Sequence, residues 1–198
     1  MIEELVESWA LSSWNIKEAF LVVDRKWFVR ENMRENAYED HPLPISEKAT
    51  ISQPYTVALM LEWLGAREGE KILEVGSGSG WVVGLLWHIV GKTWKVYWTE
   101  LDPELVKWSK NNIKNSEFKN IEIIQSKKVL GYPEKSPFDR ILVSAAVIEI
   151  PKELIKQLKI WGIMVIPVEY SIYVIKKISN NDFSWKKFDG FVFVPLIG

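Results

Sequence analysis

Glu74, Gly76, Gly78 and Gly80 stand at alternate positions in EVGSGSG, and a further carboxylate, Glu100, follows in WTELDPE. Glycines so closely spaced leave bare backbone that a ligand can approach, with helix N–H groups facing it. Spacing then separates the candidate ligands. A dinucleotide turn of the form G-x-G-x-x-G wants glycine where the helix packs tightly on the strand, and Trp81 occupies that place. A P-loop needs glycine followed by lysine and a hydroxyl residue, which this stretch lacks.

The spacing E-x-G-x-G-x-G matches instead a turn that cradles the amino-acid half of S-adenosylmethionine, a ligand without phosphates. Its contacts would come from Glu74, Gly76, Ser77, Gly78, Ser79 and Gly80. Glu100 closes the next strand, where a carboxylate can accept bonds from both ribose hydroxyls; such charge-assisted bonds contribute ~1.5–3 kcal/mol. Both acids have plainer readings. Glu100 could be a solvated acid at a strand end, and Glu74 a helix-capping or surface carboxylate.

The elements that must position these groups follow from the apolar pattern. KILEV, KVYWTE, IEIIQ, DRILVSA and GIMVIPV each suit a strand buried on both faces, as parallel sheets require. Trp81 to Val90 and Pro103 to Asn115 read as helices, the second opening on a first-turn proline, and a third starts near Pro151. This alternation predicts βαβ units in a doubly wound α/β fold. SIYVIKKI, the polar SNNDFS and GFVFVPL predict a closing antiparallel hairpin. Residues 1–65 break the rhythm. Glu3 to Val23 is expected to be helical, interrupted at Ser12 and Ser13; HPLPISEKATISQP is an irregular loop, and Gln53 to Leu64 a helix. The expected organisation is a single domain, 1–198, with an N-terminal helical cap (1–65) on a cofactor-binding body (66–198).

Composition sets the outer limits. A chain of 198 residues suits one α/β body. With 47% apolar residues, 26% charged residues and a net charge of −1, it offers no general attraction for nucleic acid or anionic lipid. It has no cysteine, hence no disulfide, thiolate metal site or cysteine nucleophile. His41 and His88 are too far apart in sequence to suggest a metal pair. The opening MIEELVESW lacks the basic and apolar regions of a secretory signal, and no apolar run is long enough to span a bilayer. The expected compartment is the cytoplasm. The stretch VSAAVIEIP after the fourth strand lacks the Asn/Asp-Pro-Pro-aromatic tetrapeptide of many amine methylases, so an oxygen or another simple nucleophile is the expected methyl acceptor.

Further segments carry a resemblance. VVDRKWFV, AYEDHPLPI, ATISQP (Ala49 to Pro54), EVGSGSG, LGYPEKSPFDRI, the Ser144-Ala145-Ala146 run, IPKELIKQLK and the closing FVPLIG together resemble the protein-L-isoaspartate O-methyltransferase family over nearly the whole chain. The resemblance implies a mostly parallel, seven-stranded Rossmann-like methyltransferase sheet, S-adenosyl-L-methionine as cofactor, and isoaspartyl peptides or proteins as substrate, with neither nucleic acid nor membrane as partner. It implies that Ser52 is the active-site hydroxyl, although the same serine could equally be the N-cap of the following helix. It places Thr50, Ile51 and Leu101 against the cofactor, and Ala145 and Ala146 against the substrate.

Some positions depart from the family pattern. Where the family carries Gly-Asp-Gly for the adenine amino group, this chain has Ser126-Lys127-Lys128. A lysine ammonium only donates, so Lys127 cannot replace that acceptor, and the loss would weaken cofactor binding roughly tenfold to a hundredfold. Tyr55 replaces a common histidine, Val147 and Ile148 a Gly-Pro or Ala-Pro pair, and Glu169 a common glycine. Two alternatives stay open on these grounds: a different methyl acceptor, or a binding homologue with impaired catalysis.

Overall fold

The computed structural model describes residues 1–91, 94–114, 121–125 and 129–196. Two short helices, α1 (Ile2–Glu7) and α2 (Trp14–Val22), open the chain. The break between them is chemical. The N–H groups of Ser12 and Ser13 donate to Glu62 Oε1 at 2.7 and 2.6 Å, so the chain here bonds to another segment rather than to a preceding turn. The proline-rich loop contains a small antiparallel ribbon, β1 (Leu43–Pro44) with β2 (Thr50–Ile51). Glu62 belongs to α3 (Pro54–Leu64), which starts on Pro54 and ends at Gly65 with φ +57°, a left-handed C-terminus that suits glycine.

The body follows as β3 (Ile72–Val75), α4 (Trp81–Val90), β4 (Val96–Glu100), α5 (Pro103–Lys114), β5 (Ile121–Gln125), β6 (Phe138–Val143), α6 (Lys152–Gln157), β7 (Leu158–Val168), β8 (Ser171–Lys177) and β9 (Phe183–Asp189). These strands form one seven-stranded sheet in the order β5-β4-β3-β6-β7-β8-β9. β3 pairs in parallel with both β4 and β6, whereas β8 pairs antiparallel with both β7 and β9. The chain therefore builds outward from β3 in both directions. The crevice at the C-terminal ends of β3 and β6 is the switch point where open α/β sheets bind ligands.

Strand side chains alternate between two buried layers. Ile72, Trp98, Leu142 and Val165 join the layer under α3 and α4, while Leu73, Tyr97, Ile141 and Met164 join the opposite layer with α6 residues Leu154 and Ile155. Helix α4, WVVGLLWHIV, is buried at every position but His88. A helix that is apolar all round needs cover on its outer side as well as on the sheet side. The N-terminal helices supply it: α2 packs on α4, with Phe20 edge-on to Trp81 at 5.4 Å between ring centres. Among the described residues, no helix is long and apolar enough to cross a membrane.

The closing antiparallel hairpin is present, with one arm corrected. Its second arm is Phe183–Asp189, FSWKKFD, paired with β8 throughout, rather than GFVFVPL. The expected turn SNNDFS runs into the start of that arm at Phe183 and Ser184, and the charges of Lys186 and Lys187 are what an exposed edge strand carries. GFVFVPL instead turns back across the sheet, where the Ala146 N–H donates to Val194 O at 2.8 Å and the Leu196 N–H to Ala146 O at 2.7 Å. The two-residue turn joining β7 to β8 places Glu169 at φ +52°, a left-handed conformation costly for a residue with a Cβ. Replacing Glu169 by glycine should stabilise the protein by about 0.5–1 kcal/mol, after allowing for glycine's greater freedom when unfolded. Urea midpoints of wild type and Glu169→Gly at one pH check this; an unchanged or lower midpoint contradicts it.

Candidate active site

The glycine turn connects β3 to α4. Gly76, Gly78 and Gly80 have φ of +80°, +51° and +83°, so the alternate glycines answer a backbone requirement at each position. Space is limiting too: a Cβ on Gly80 would lie 3.2 Å from Ile113 Cδ1 and 3.4 Å from Ser109 Cβ, and one on Gly78 would lie 3.2 Å from Ile45 Cδ1. The N–H groups of Gly76 and Ser77 donate to Thr99 O at 2.9 and 3.3 Å. Ser79 O accepts from Asn112 Nδ2 at 3.0 Å.

Glu100 finishes this arrangement. Its Oε2 accepts from the Gly78 N–H at 2.8 Å, and its Oε1 from the N–H groups of Leu101 at 2.8 Å and Asp102 at 3.1 Å. It is therefore no solvated strand-end acid. A carboxylate offers about four acceptor sites, so these three bonds leave Oε2 with capacity toward the cleft. That this acid also shapes the turn could not be seen from its spacing.

A cleft of about 770 Å³ opens between Gly76, Gly78, Glu100 and Leu101 on one side and Ser144, Ala145, Val147 and Leu196 on another. Val129, Leu130 and Leu105 add apolar wall, and Ala49 and Thr50 border it from the N-terminal loop. The volume and mixed lining suit a nucleoside-sized ligand. Next to it lies a cavity of about 20 Å³, lined by Thr50, Ile51, Ser52, Glu74, Gly76, Ser77, Gly78, Ser79 and Ser144. The Thr50–Ser52 segment and the glycine turn thus share one wall.

Glu74 is fully buried, on the same sheet face as Ile72, and is neither a cap nor a surface acid. Ser144 Oγ donates to its Oε1 at 2.8 Å. Its Oε2 and Ser77 Oγ have no partner among the described residues. Burial pushes the Glu74 carboxyl up to about 8, with the Ser144 bond opposing and the Glu100 charge adding to the rise. At neutral pH the acid is mostly protonated, and a cation entering the adjoining cavity would favour its ionised form.

Ser52 is half-buried and does not cap α3. Gln53 holds the N-cap position, and Asp40 Oδ1 accepts the Tyr55 N–H at 2.8 Å. The cap therefore comes from a segment distant in sequence, which leaves the serine hydroxyl to the cavity. Of the two alanines, Ala146 has its N–H engaged by Val194 O, whereas the Ala145 N–H, on the cleft wall, meets no acceptor among the described residues. Lys127, with Ser126 and Lys128, lies outside the described residues. The cleft wall of Val194, Pro195 and Leu196 was missed because FVPL reads as a strand. His41 pairs with Glu39 at 2.6 Å and His88 with Glu18 at 3.5 Å; the described residues contain no cluster of three metal-ligating side chains.

A glycine turn after the central strand, an acid ending the next strand and a sheet closed by an antiparallel pair define a Rossmann-like methyltransferase. The chain belongs to the protein-L-isoaspartate(D-aspartate) O-methyltransferase family, whose model matches residues 1–198. A protein-L-isoaspartate O-methyltransferase of Methanothrix thermoacetophila is 42% identical over 198 residues, covering 99% of this chain and 94% of its own. A solved protein-L-isoaspartate O-methyltransferase structure superposes with a TM-score of 0.89 at 27% identity, over 100% of this chain and 66% of that one. A Plasmodium falciparum structure, described as a beta-aspartate methyltransferase in complex with S-adenosyl-L-homocysteine, gives a TM-score of 0.87 at 27% identity, over 99% and 96%.

The buried acid sets a pH dependence. Its folded pKa of about 8 lies above the ordinary 4.5, so the folded state holds a proton that the unfolded chain releases. This group's contribution is most favourable below about 4.5 and is lost as pH rises toward about 8, by up to about 1.4 kcal/mol per unit. Glu74→Gln keeps an acceptor for Ser144 and cannot ionise. Its stability relative to wild type should rise between pH 5 and 8 in urea unfolding; parallel profiles would contradict the assignment.

Proposed function

We propose that the protein transfers a methyl group from S-adenosylmethionine to the α-carboxylate of L-isoaspartyl residues in damaged proteins. The observation that carries this reading is the meeting of Thr50, Ile51 and Ser52 with Glu74 and the glycine turn around one cavity. Full-length similarity to protein-L-isoaspartate O-methyltransferases supports it.

The residues fit such a cofactor. Gly76, Ser77, Gly78, Ser79 and Gly80 would hold its amino-acid half, with Glu74 Oε2 placed to accept from an ammonium group. Glu100 would accept from the ribose hydroxyls, and Leu101, Leu105 and Leu130 would cover the apolar surface of the nucleoside. When bound, the cofactor supplies an electrophilic methyl group on a sulfonium. Everything else asked of the protein is placement.

An isoaspartyl carboxylate, with an ordinary pKa near 4, is already ionised at neutral pH, so the site needs no general base. Ser52 Oγ and the Ala145 N–H are the donors that would fix the acceptor oxygen opposite the methyl group. Holding the reactants in line and excluding water supplies most of the acceleration. The acceptor would enter as an extended peptide past Val147 and the Val194–Leu196 segment. The setting we infer is soluble and cytoplasmic, with no nucleic-acid or membrane partner.

Mixing purified protein, labelled S-adenosylmethionine and an isoaspartyl peptide beside its aspartyl twin should label only the first. Equal labelling, or none, sinks the proposal. In the same assay Ser52→Ala should lower turnover about tenfold to a hundredfold, as expected for loss of one positioning contact. An undiminished rate would remove Ser52 from the acceptor site.

A further inference from the structure

We propose that Arg25 is a positioning residue that fixes Ser52 against the glycine turn; the inference rests on the methyl-transfer reading above. Arg25 is 1% exposed, and its two terminal nitrogens donate to four backbone carbonyls. Nη1 reaches Ala37 O at 2.8 Å and Glu39 O at 3.4 Å, and Nη2 reaches His41 O at 3.1 Å and Ser52 O at 3.0 Å. The acceptors lie on two separate stretches, the loop 37–41 and the residue bearing the active-site hydroxyl. A planar fork with divergent donors can span both.

The same guanidinium stands over the Trp81 ring, 5.3 Å from its centre, within cation–π range. Trp81 follows Gly80 directly and opens α4, and its indole N–H donates to Val23 O at 3.1 Å, two residues before the arginine. Arg25 thus touches both components of the site: the Ser52 backbone and the first helical residue after the glycine turn. Among the described residues, no carboxylate contacts it directly. Burial lowers its pKa to about 10, with the Asp40 charge opposing, so it stays charged at neutral pH with carbonyl dipoles as its counter-charge.

An arginine that served stability alone would alter the fraction of folded protein and leave turnover per folded molecule unchanged. One that sets the serine position would alter turnover itself, since a displacement of about 1 Å near reacting groups can cost a hundredfold. Lysine preserves the charge but presents its donors from a single point, so it cannot reach Ala37 O and Ser52 O together.

The test is steady-state methylation of an isoaspartyl peptide by Arg25→Lys, with turnover counted per S-adenosylhomocysteine-binding site measured by calorimetry. The expected result is kcat lowered about tenfold to a hundredfold, with S-adenosylhomocysteine affinity within about threefold of wild type. Unchanged kcat per binding site overturns the proposal, as does an affinity loss as large as the kcat loss. If Arg25→Lys does not fold, Arg25→Gln is read in the same way; if neither folds, the arginine is a folding element and the proposal is overturned. A wild-type protein inactive on the peptide overturns the methyl-transfer reading instead. Amide exchange across residues 50–53 then decides: faster exchange in the variant supports the positioning role, and equal exchange defeats it.

Discussion

One carboxylate holds the site in shape. Glu100 closes β4 and takes the Gly78 N–H at 2.8 Å, across a turn whose glycines all have positive φ. Such a turn points N–H groups away from any helix or strand, and a buried donor must find a partner. Thr99 O serves Gly76 and Ser77, while Gly78, at the apex, depends on Glu100. The acid therefore couples the end of β4 to the turn that follows β3, and it lines the cleft with remaining acceptor capacity.

The N-terminal segment is bound to this body by a second constraint. Because α4 presents apolar side chains in every direction, α2 must lie over it, and the loop between α2 and α3 is carried down to the glycine turn. There Ile45 approaches Gly78, and Arg30 joins the loop to the body, donating Nε to Ile45 O at 2.6 Å while stacking 4.0 Å from the Trp108 ring centre on α5. The Thr50–Ser52 segment and the glycine turn, far apart in sequence, come together because one buried helix needs cover.

What could be read from the residues alone follows this division. The runs that became β3 to β6, and helix α4 from Trp81 to Val90, were legible because each has a single dominant period and clear stops. The glycine turn was legible because nothing else explains alternate glycines. Glu74 was harder: the run suits a strand buried on both faces, yet a lone carboxylate in it also reads as a cap or surface acid, and its bond from Ser144, 70 residues on, leaves no local trace. Asp40 as the cap of α3 and Arg25 as the anchor of Ser52 depend on contacts between distant segments, to which local pattern is blind. FSWKKFD takes the place expected for GFVFVPL because hydrophobicity favours the second as a strand, while pairing with β8 selects the first.

The account asks little covalent chemistry of the side chains and much of their placement: an acid that shapes a turn, a cavity shared by serine and glycine turn, and a buried acid able to answer a cation. Its central claim is that the Glu100-organised turn binds the nucleoside cofactor. Calorimetric titration of wild type and Glu100→Ala with S-adenosylhomocysteine tests this most directly. The account predicts saturable binding by wild type and affinity at least about tenfold weaker in the variant, the loss expected for a charge-assisted bond. Equal affinity in the two proteins, or no heat from wild type at millimolar ligand, would contradict it.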